Sequence, residues 1–237
     1  MKSTLHKADS RGHANHGWLN SYHSFSFANY YDPNRMGFGT LRVLNDDEVS
    51  AGMGFGTHGH SNMEIISIPL EGDLEHKDSM GNTTIIRNGD IQVMSAGSGV
   101  QHSEYNHSKE KKVKFLQIWV VPNKANVEPR YDQITLKKSD MTNTLYQILS
   151  PRPEDDGVWI HQNAWFYLGN FDTKTEIMHK VNNQSNGVYL FLLEGECEVG
   201  GEILKKRDAL AIEDAETIDL AIEKDSKVLL MEVPMAN

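Results

Sequence analysis

The chain is 237 residues long, 38% hydrophobic and 24% charged, with a formal net charge of −10. That length allows one large domain or two small ones with room for a core, and 19 Gly with 7 Pro is ordinary globular usage that excludes a disordered or collagen-like chain. An acidic surface repels phosphate backbones, so direct nucleic-acid binding would need a local basic stripe; Lys109-Glu110-Lys111-Lys112-Val113-Lys114 leads into an apolar strand and reads as a solvated loop.

Most of the chain reads as short strands punctuated by turns. Met63–Leu70, Thr83–Arg87, Asp90–Met94 and Val113–Val121 have strand composition, separated by Gly72, Met80-Gly81-Asn82, Asn88-Gly89 and Gly97/Gly99. Asn-Gly beside apolar runs is a strong turn signal, and this spacing predicts an all-β sandwich or barrel rather than βαβ units. Four of the seven prolines (Pro122, Pro129, Pro151, Pro153) fall between 122 and 153. Proline removes a ladder donor, so this stretch is expected to cross between sheets or domains. Strands resume at Trp165–Phe171, Gly187–Leu193, Asp208–Ile212, Thr217–Glu223 and Lys227–Val233. The halves echo each other: Glu71-Gly72 opens a stretch ending in Gly89-Asp90-Ile91-Gln92-Val93, and Glu194-Gly195 opens a shorter one ending in Arg207-Asp208-Ala209-Leu210-Ala211. With the proline-rich middle, that echo favours two similar β-domains in tandem.

The single cysteine, Cys197, excludes an internal disulfide and a thiolate zinc cluster and points to a reducing compartment. On its predicted strand it reads as a small buried hydrophobe. No apolar run approaches the ~18 residues that span a bilayer, and the first seven residues lack the apolar core of a signal peptide. A cytoplasmic protein with no membrane partner is expected.

Nine of the eleven histidines fall by residue 107. Two pairs stand out: Thr57-His58-Gly59-His60 and Gln101-His102-Ser103-Glu104. Strand side chains alternate faces, so His58 and His60 share a face, as do His102 and Glu104. If the two strands approach in one barrel, three imidazoles and one carboxylate converge. That set suits one divalent first-row metal with open positions, iron(II) most naturally, with nickel, manganese, cobalt and copper as alternatives. Zinc would bind too, but supports hydrolysis rather than oxygen chemistry.

The same residues carry a family resemblance. Gly52, His58, His60 and Glu64 resemble the first cupin motif, and Gly89, Gly97, His102 and Asn106 the second. The stretches Gly17–His23, Tyr31-Asp32-Pro33, Gly54–His58 and Ser95–Glu104 are similar to the signature of the pirin family, particularly its bacterial quercetinase-type members. The likeness is dense over 11–122 and thin after about 150. It implies two tandem cupin (double-stranded β-helix) barrels: a metal-binding domain over 1–125, a crossover over 126–150 and a second cupin over 151–237 without a metal site. It places the metal on His58, His60, His102 and Glu104 and leaves Glu64 beside the site as a non-ligand. In the second half only His179 stands near a candidate ligand position. The chain departs from the family at Gly59, Ser61 and Ser95, where proline, a basic residue and proline are usual, which alters the rim and not the ligand chemistry.

The resemblance implies a dioxygenase that cleaves flavonol-type aromatic enols, such as quercetin, with dioxygen and releases carbon monoxide. Glu104, a carboxylate beside the substrate, is the candidate general base. Pirins share a fold while serving different ends, so a metal-dependent regulatory module that docks onto a protein partner is the alternative, and a hydrolase or isomerase with a redox-inert ion a third. Of the remaining residues, His13, His16 and His23 are expected at the surface or in turns, with the lining of a pocket mouth as the alternative. His76 is taken as out of phase with Leu74, on an outer face and without a role. His107 is expected in solvent. Phe38, Phe55, Met63, Met94 and Phe115 are read as core or, alternatively, as walls of an aromatic-binding cavity.

Overall fold

The computed structural model describes residues 1–235. Twenty-two strands and two short 3-10 turns account for its regular structure, and no helix is long and apolar enough to cross a membrane. The strands build two barrels, each a seven-stranded sheet folded over a four-stranded one.

In the first barrel the large sheet runs, edge to edge, Arg130–Thr135, Asp90–Ser95, Glu64–Glu71, Val113–Val120, Leu41–Val49, Leu19–His23 and Gly12–Asn15. The small sheet runs Gly54–His60, Val100–Asn106, Leu74–Asp78 and Thr83–Ile86. In the second barrel the large sheet includes Ala209–Glu213, Asn186–Glu194, Ser226–Pro234 and Trp165–Phe171, and the small sheet runs Thr175–Lys180, Thr217–Ile222, Glu196–Val199 and Glu202–Lys205. The turn at Asn88-Gly89, with Gly89 at φ +98°, passes the chain from the small sheet to the large one.

Alternation along the strands decides what each face meets. In Val113–Val120, Leu116 and Ile118 join a core shared by the two barrels, while Phe115, Gln117 and Trp119 point into the first barrel. In Asn186–Glu194, Tyr189, Phe191 and Leu193 enter that shared core, while Val188, Leu190 and Leu192 fill the second barrel. With both faces buried, such strands read as continuous apolar runs. Each large side chain buried in this way contributes roughly 1.5–3 kcal/mol.

The interiors differ. The second barrel is packed with Val188, Leu190, Leu192, Cys197, Leu220 and Leu230. In the first, two small apolar clusters flank a polar row that crosses the large sheet in register: His23, Asn45, Gln117, Ser67, Gln92 and Gln133.

The pairing runs across the limits read from the sequence. Lys2–His6 adds to the second barrel's sheet beside Ala209–Glu213, anchored by His6 Nδ1 at 3.0 Å from the Tyr189 hydroxyl and by Lys7 at 2.9 Å from Asp208. Within 126–150, Arg130–Thr135 pairs with Asp90–Ser95 and Tyr146–Ser150 with Trp165–Phe171. The crossover therefore carries one strand for each barrel.

Candidate metal centre

Three strands of the first barrel's small sheet carry the site. His58 stands opposite His102 across the ladder between Gly54–His60 and Val100–Asn106. On the other side of Val100–Asn106, His76 faces Glu104 and Asp78 faces His102. The register slips between His102 and Glu104, so Phe55 opposes Glu104; a bulge of this kind re-aims side chains next to a site. Gly54 permits the close approach, because a Cβ there would collide with the Glu104 carbonyl oxygen.

The histidines converge. Ring centroids are 4.5 Å apart for His58 and His102, 4.8 Å for His58 and His60, and 5.0 Å for His60 and His102. His58 donates from Nδ1 to the Gly56 carbonyl at 2.8 Å, which leaves its Nε2 with a free lone pair. That Nε2 lies 3.1 Å from His102 Nε2, the spacing of two adjacent ligands on one ion with bonds of about 2.1 Å. His102 Nδ1 is buried without a partner. Burial, reinforced by the neighbouring imidazoles, lowers the His102 pKa to about 3 and that of His60 to about 4. Both are therefore neutral at pH 7, the form that ligates metals. Donor chemistry, spacing and protonation all fit a first-row divalent cation.

Glu104 is buried, and its carboxylate accepts hydrogen bonds from Ser67 Oγ at 3.1 Å and Gln117 Nε2 at 3.0 Å. Burial pushes its pKa above the usual carboxylate range, with His76 and the Ser67 hydrogen bond opposing. Donor atoms of His58, His60 and His102 lie within 4.8 Å of one another, and so do those of His76, His102 and Glu104. His102 joins the two groups.

A cavity of about 670 Å³ opens onto this cluster and is lined by His58 and His60. Trp18, Phe27, Tyr30, Phe55 and Trp119 give it aromatic walls. Trp119 meets His60 edge-on at 5.0 Å and Phe27 at 5.4 Å. Ser21, His23, Asn45, Asp47 and Gln117 supply its polar lining.

Of the other candidate residues, some stand where expected and some do not. His76 is fully buried inside the barrel, not on an outer face: two residues apart on a strand, Leu74 and His76 share a side, and His76 donates from Nε2 to buried Asp78 at 3.0 Å. His23 is 3% exposed and hydrogen-bonds Asn45 through Nδ1 at 2.9 Å, whereas His13 and His16 are exposed at the cavity mouth. Phe38 packs on Tyr189 between the barrels; Met94 and Phe115 are core, and Met63 packs against core, so of the five candidate walls Phe55 alone lines the cavity. Glu64 is buried against Ser95, 2.6 Å away, outside both donor groups. His107 is exposed beside Glu75, and Cys197 is buried. Both donor groups belong to the first barrel; in the second, His179 faces Glu232 at 3.9 Å, whose oxygens are taken by Asn182, Asn183 and Asn186. Asn45, Asp47, Gln117 and Trp119 also line the cavity and are not among the residues expected from the sequence. Their signal was a polar or bulky residue interrupting an apolar strand, as at Asn45-Asp46-Asp47 after Leu41–Leu44.

Two cupin barrels, one filled and one holding a histidine–carboxylate cluster beside an aromatic cavity, define a bicupin with a metal-binding site in its first half. The chain belongs to the pirin family: the Pirin profile matches residues 4–120, and the quercetinase C-terminal cupin domain matches residues 147–233. It is 43% identical over 230 residues to the quercetin 2,3-dioxygenase of Escherichia coli (strain K12), covering 97% of this chain and 98% of that protein. It is 36% identical over 225 residues to a pirin-like protein of Caulobacter vibrioides, covering 94% and 96%. The crystal structure of the bacterial pirin YhhW from Escherichia coli, in complex with nickel(II), superposes with a TM-score of 0.93 at 42% identity, over 98% of this chain and 99% of that one.

Proposed function

We propose that this protein is a cytoplasmic metal-dependent dioxygenase of the quercetin 2,3-dioxygenase kind, which opens flavonol-type aromatic enols in the first barrel. The observation that carries this reading is the aromatic cavity lined by His58 and His60, which converge with His102 into a trio of imidazoles, two of them held neutral by burial. His58, His60, His102 and Glu104 would hold one divalent ion, iron(II) by preference, with nickel, manganese, cobalt, copper or zinc as alternatives. A redox-active ion held there would supply redox chemistry with dioxygen and the positive charge that acidifies an enol hydroxyl.

The chain's own residues do the rest. Trp18, Phe55 and Trp119 stack against a planar substrate and keep water from it. Glu104 takes the enol proton on a carboxylate oxygen, whose proton affinity burial raises. Ser67 and Gln117 fix the carboxylate's orientation while it does so. The overall reaction joins flavonol and dioxygen and yields a ring-opened ester and carbon monoxide.

An oxygen electrode tests the proposal. Protein loaded with iron(II) is expected to consume one dioxygen per quercetin and release carbon monoxide. No oxygen uptake with any of the six metals would overturn it and leave metal-dependent docking onto a protein partner as the reading to pursue.

A further inference from the structure

Asp47 is an acid that the proposed chemistry leaves unused. It lies on the inward face of Leu41–Val49, two positions from Asn45, with Ser21 opposite on one neighbouring strand and Phe115 on the other. Its side chain is buried, lines the same cavity as His58 and His60, and accepts a hydrogen bond from the Ser21 hydroxyl on Oδ1. It belongs to neither donor group of the metal cluster. The nearby guanidiniums of Arg11 and Arg207 pair with Asp46 on the strand's other face. A carboxyl in such surroundings is costly to bury unless something completes its hydrogen bonding, and the aromatic walls offer it nothing.

We propose that Asp47 is the specificity-determining residue of the cavity: its carboxyl, oriented by Ser21, hydrogen-bonds a ring hydroxyl of the aromatic substrate other than the reacting enol. The inference rests on the flavonol-type reading above and deepens it, since it makes polyhydroxylated flavonols the favoured class. The enol itself is accounted for at the histidine cluster, so a second polar anchor selects what the rest of the ligand carries. Burial pushes the Asp47 carboxyl up to about 7, against the Ser21 hydrogen bond and with the help of Asp46 and Glu104. Near neutrality it can therefore donate to a hydroxyl oxygen or accept its proton, and pairing persists in either form. A site built to bond a hydroxyl rejects the analogue lacking it, because its own polar group is then left buried and unpaired.

The test compares quercetin with 3-hydroxyflavone, which keeps the enol and lacks every other hydroxyl, by fluorescence titration of the zinc-loaded protein. Wild type is expected to bind quercetin at least about tenfold more tightly than 3-hydroxyflavone, the value of a hydrogen bond whose loss strands a buried partner. In Asp47→Leu, checked for one zinc per chain, that ratio is expected to fall to within about twofold; in the shape-preserving Asp47→Asn it should fall at least about threefold. Equal binding of the two flavonols by wild type overturns the inference without any variant. An unchanged ratio in Asp47→Asn or Asp47→Leu also overturns it, while leaving the dioxygenase reading intact if iron-loaded protein consumes oxygen. An Asp47-dependent ratio without oxygen uptake would sink the dioxygenase reading alone. If neither flavonol binds, both fall.

Discussion

Asp46 Oδ2 accepts from Arg207 Nε at 2.8 Å, tying the first barrel to the second, and Arg11 Nη1 reaches the same oxygen at 3.2 Å. All three side chains are at most 15% exposed. Removing one partner of a largely buried pair strands the other charges, discounted here for partial solvent access. Asp46→Asn is expected to cost about 2 kcal/mol, a melting temperature about 4–8 °C lower in a chain of this size. Calorimetry measures the shift, and metal analysis should still find one ion per chain. An unchanged melting temperature would mean that solvent already screens the triad.

His58 and Glu104 are expected to fail differently. His58→Ala removes a lone pair from the tight imidazole trio, so bound nickel or iron should fall well below one per chain and activity with it. Glu104→Gln leaves that trio whole and keeps both hydrogen-bonding neighbours within reach. It should retain more than half its metal yet lose about 10²-fold or more in turnover, the usual contribution of a positioned base. Elemental analysis paired with oxygen uptake separates the two, and full quercetin turnover by Glu104→Gln would remove Glu104 as the base.

Much of this was legible in the sequence because period-two alternation is local. His58 with His60, and His102 with Glu104, followed from alternation, and the approach of their two strands followed from the resemblance to a cupin. The edge strand Lys2–His6 left no such trace: it is short, polar and mostly exposed, and its partner lies two hundred residues away. Asp46 and Asp47 show a second limit. Adjacent in sequence, they face opposite ways, one into an ion pair between barrels and one into the cavity, and only the three-dimensional partners tell which is which. His76 is different again, since its shared face with Leu74 was there to be read.

Glu64 sits where the barrels meet. Its carboxylate accepts from Ser95 Oγ at 2.6 Å and from the backbone N–H of His161, and burial pushes its pKa up to about 7. A carboxyl raised in the folded state above its unfolded value near 4.5 contributes its stability below pH 4.5 and loses it as pH rises through 7. Glu64→Gln mimics the neutral form at every pH. At pH 8 it is expected to melt about 5–10 °C above wild type, from about 2–3 kcal/mol, and the gap should close below pH 4.5. A gap that stays constant from pH 8 to pH 4 would show that folding leaves the Glu64 pKa unshifted.

Gly54 offers the most direct control on how the two halves of the cluster are brought together. The strand carrying His58 and His60 runs so close to Val100–Asn106 that a methyl at residue 54 would strike the Glu104 carbonyl and the Tyr105 backbone. Backbone atoms in a ladder cannot rotate away as a side chain could, so the strands must part. Overpacking of this kind typically costs about 1–3 kcal/mol, and here it falls on the same ladder that brings His58 to 3.1 Å from His102. Gly56, on the same strand, has only the far end of the Tyr105 side chain near its Cβ, at 3.8 Å. Gly54→Ala is therefore expected to weaken nickel binding by at least about tenfold in calorimetric titration, whereas Gly56→Ala should stay within about threefold of wild type. Equal effects of the two substitutions would show that strand separation does not set the donor spacing.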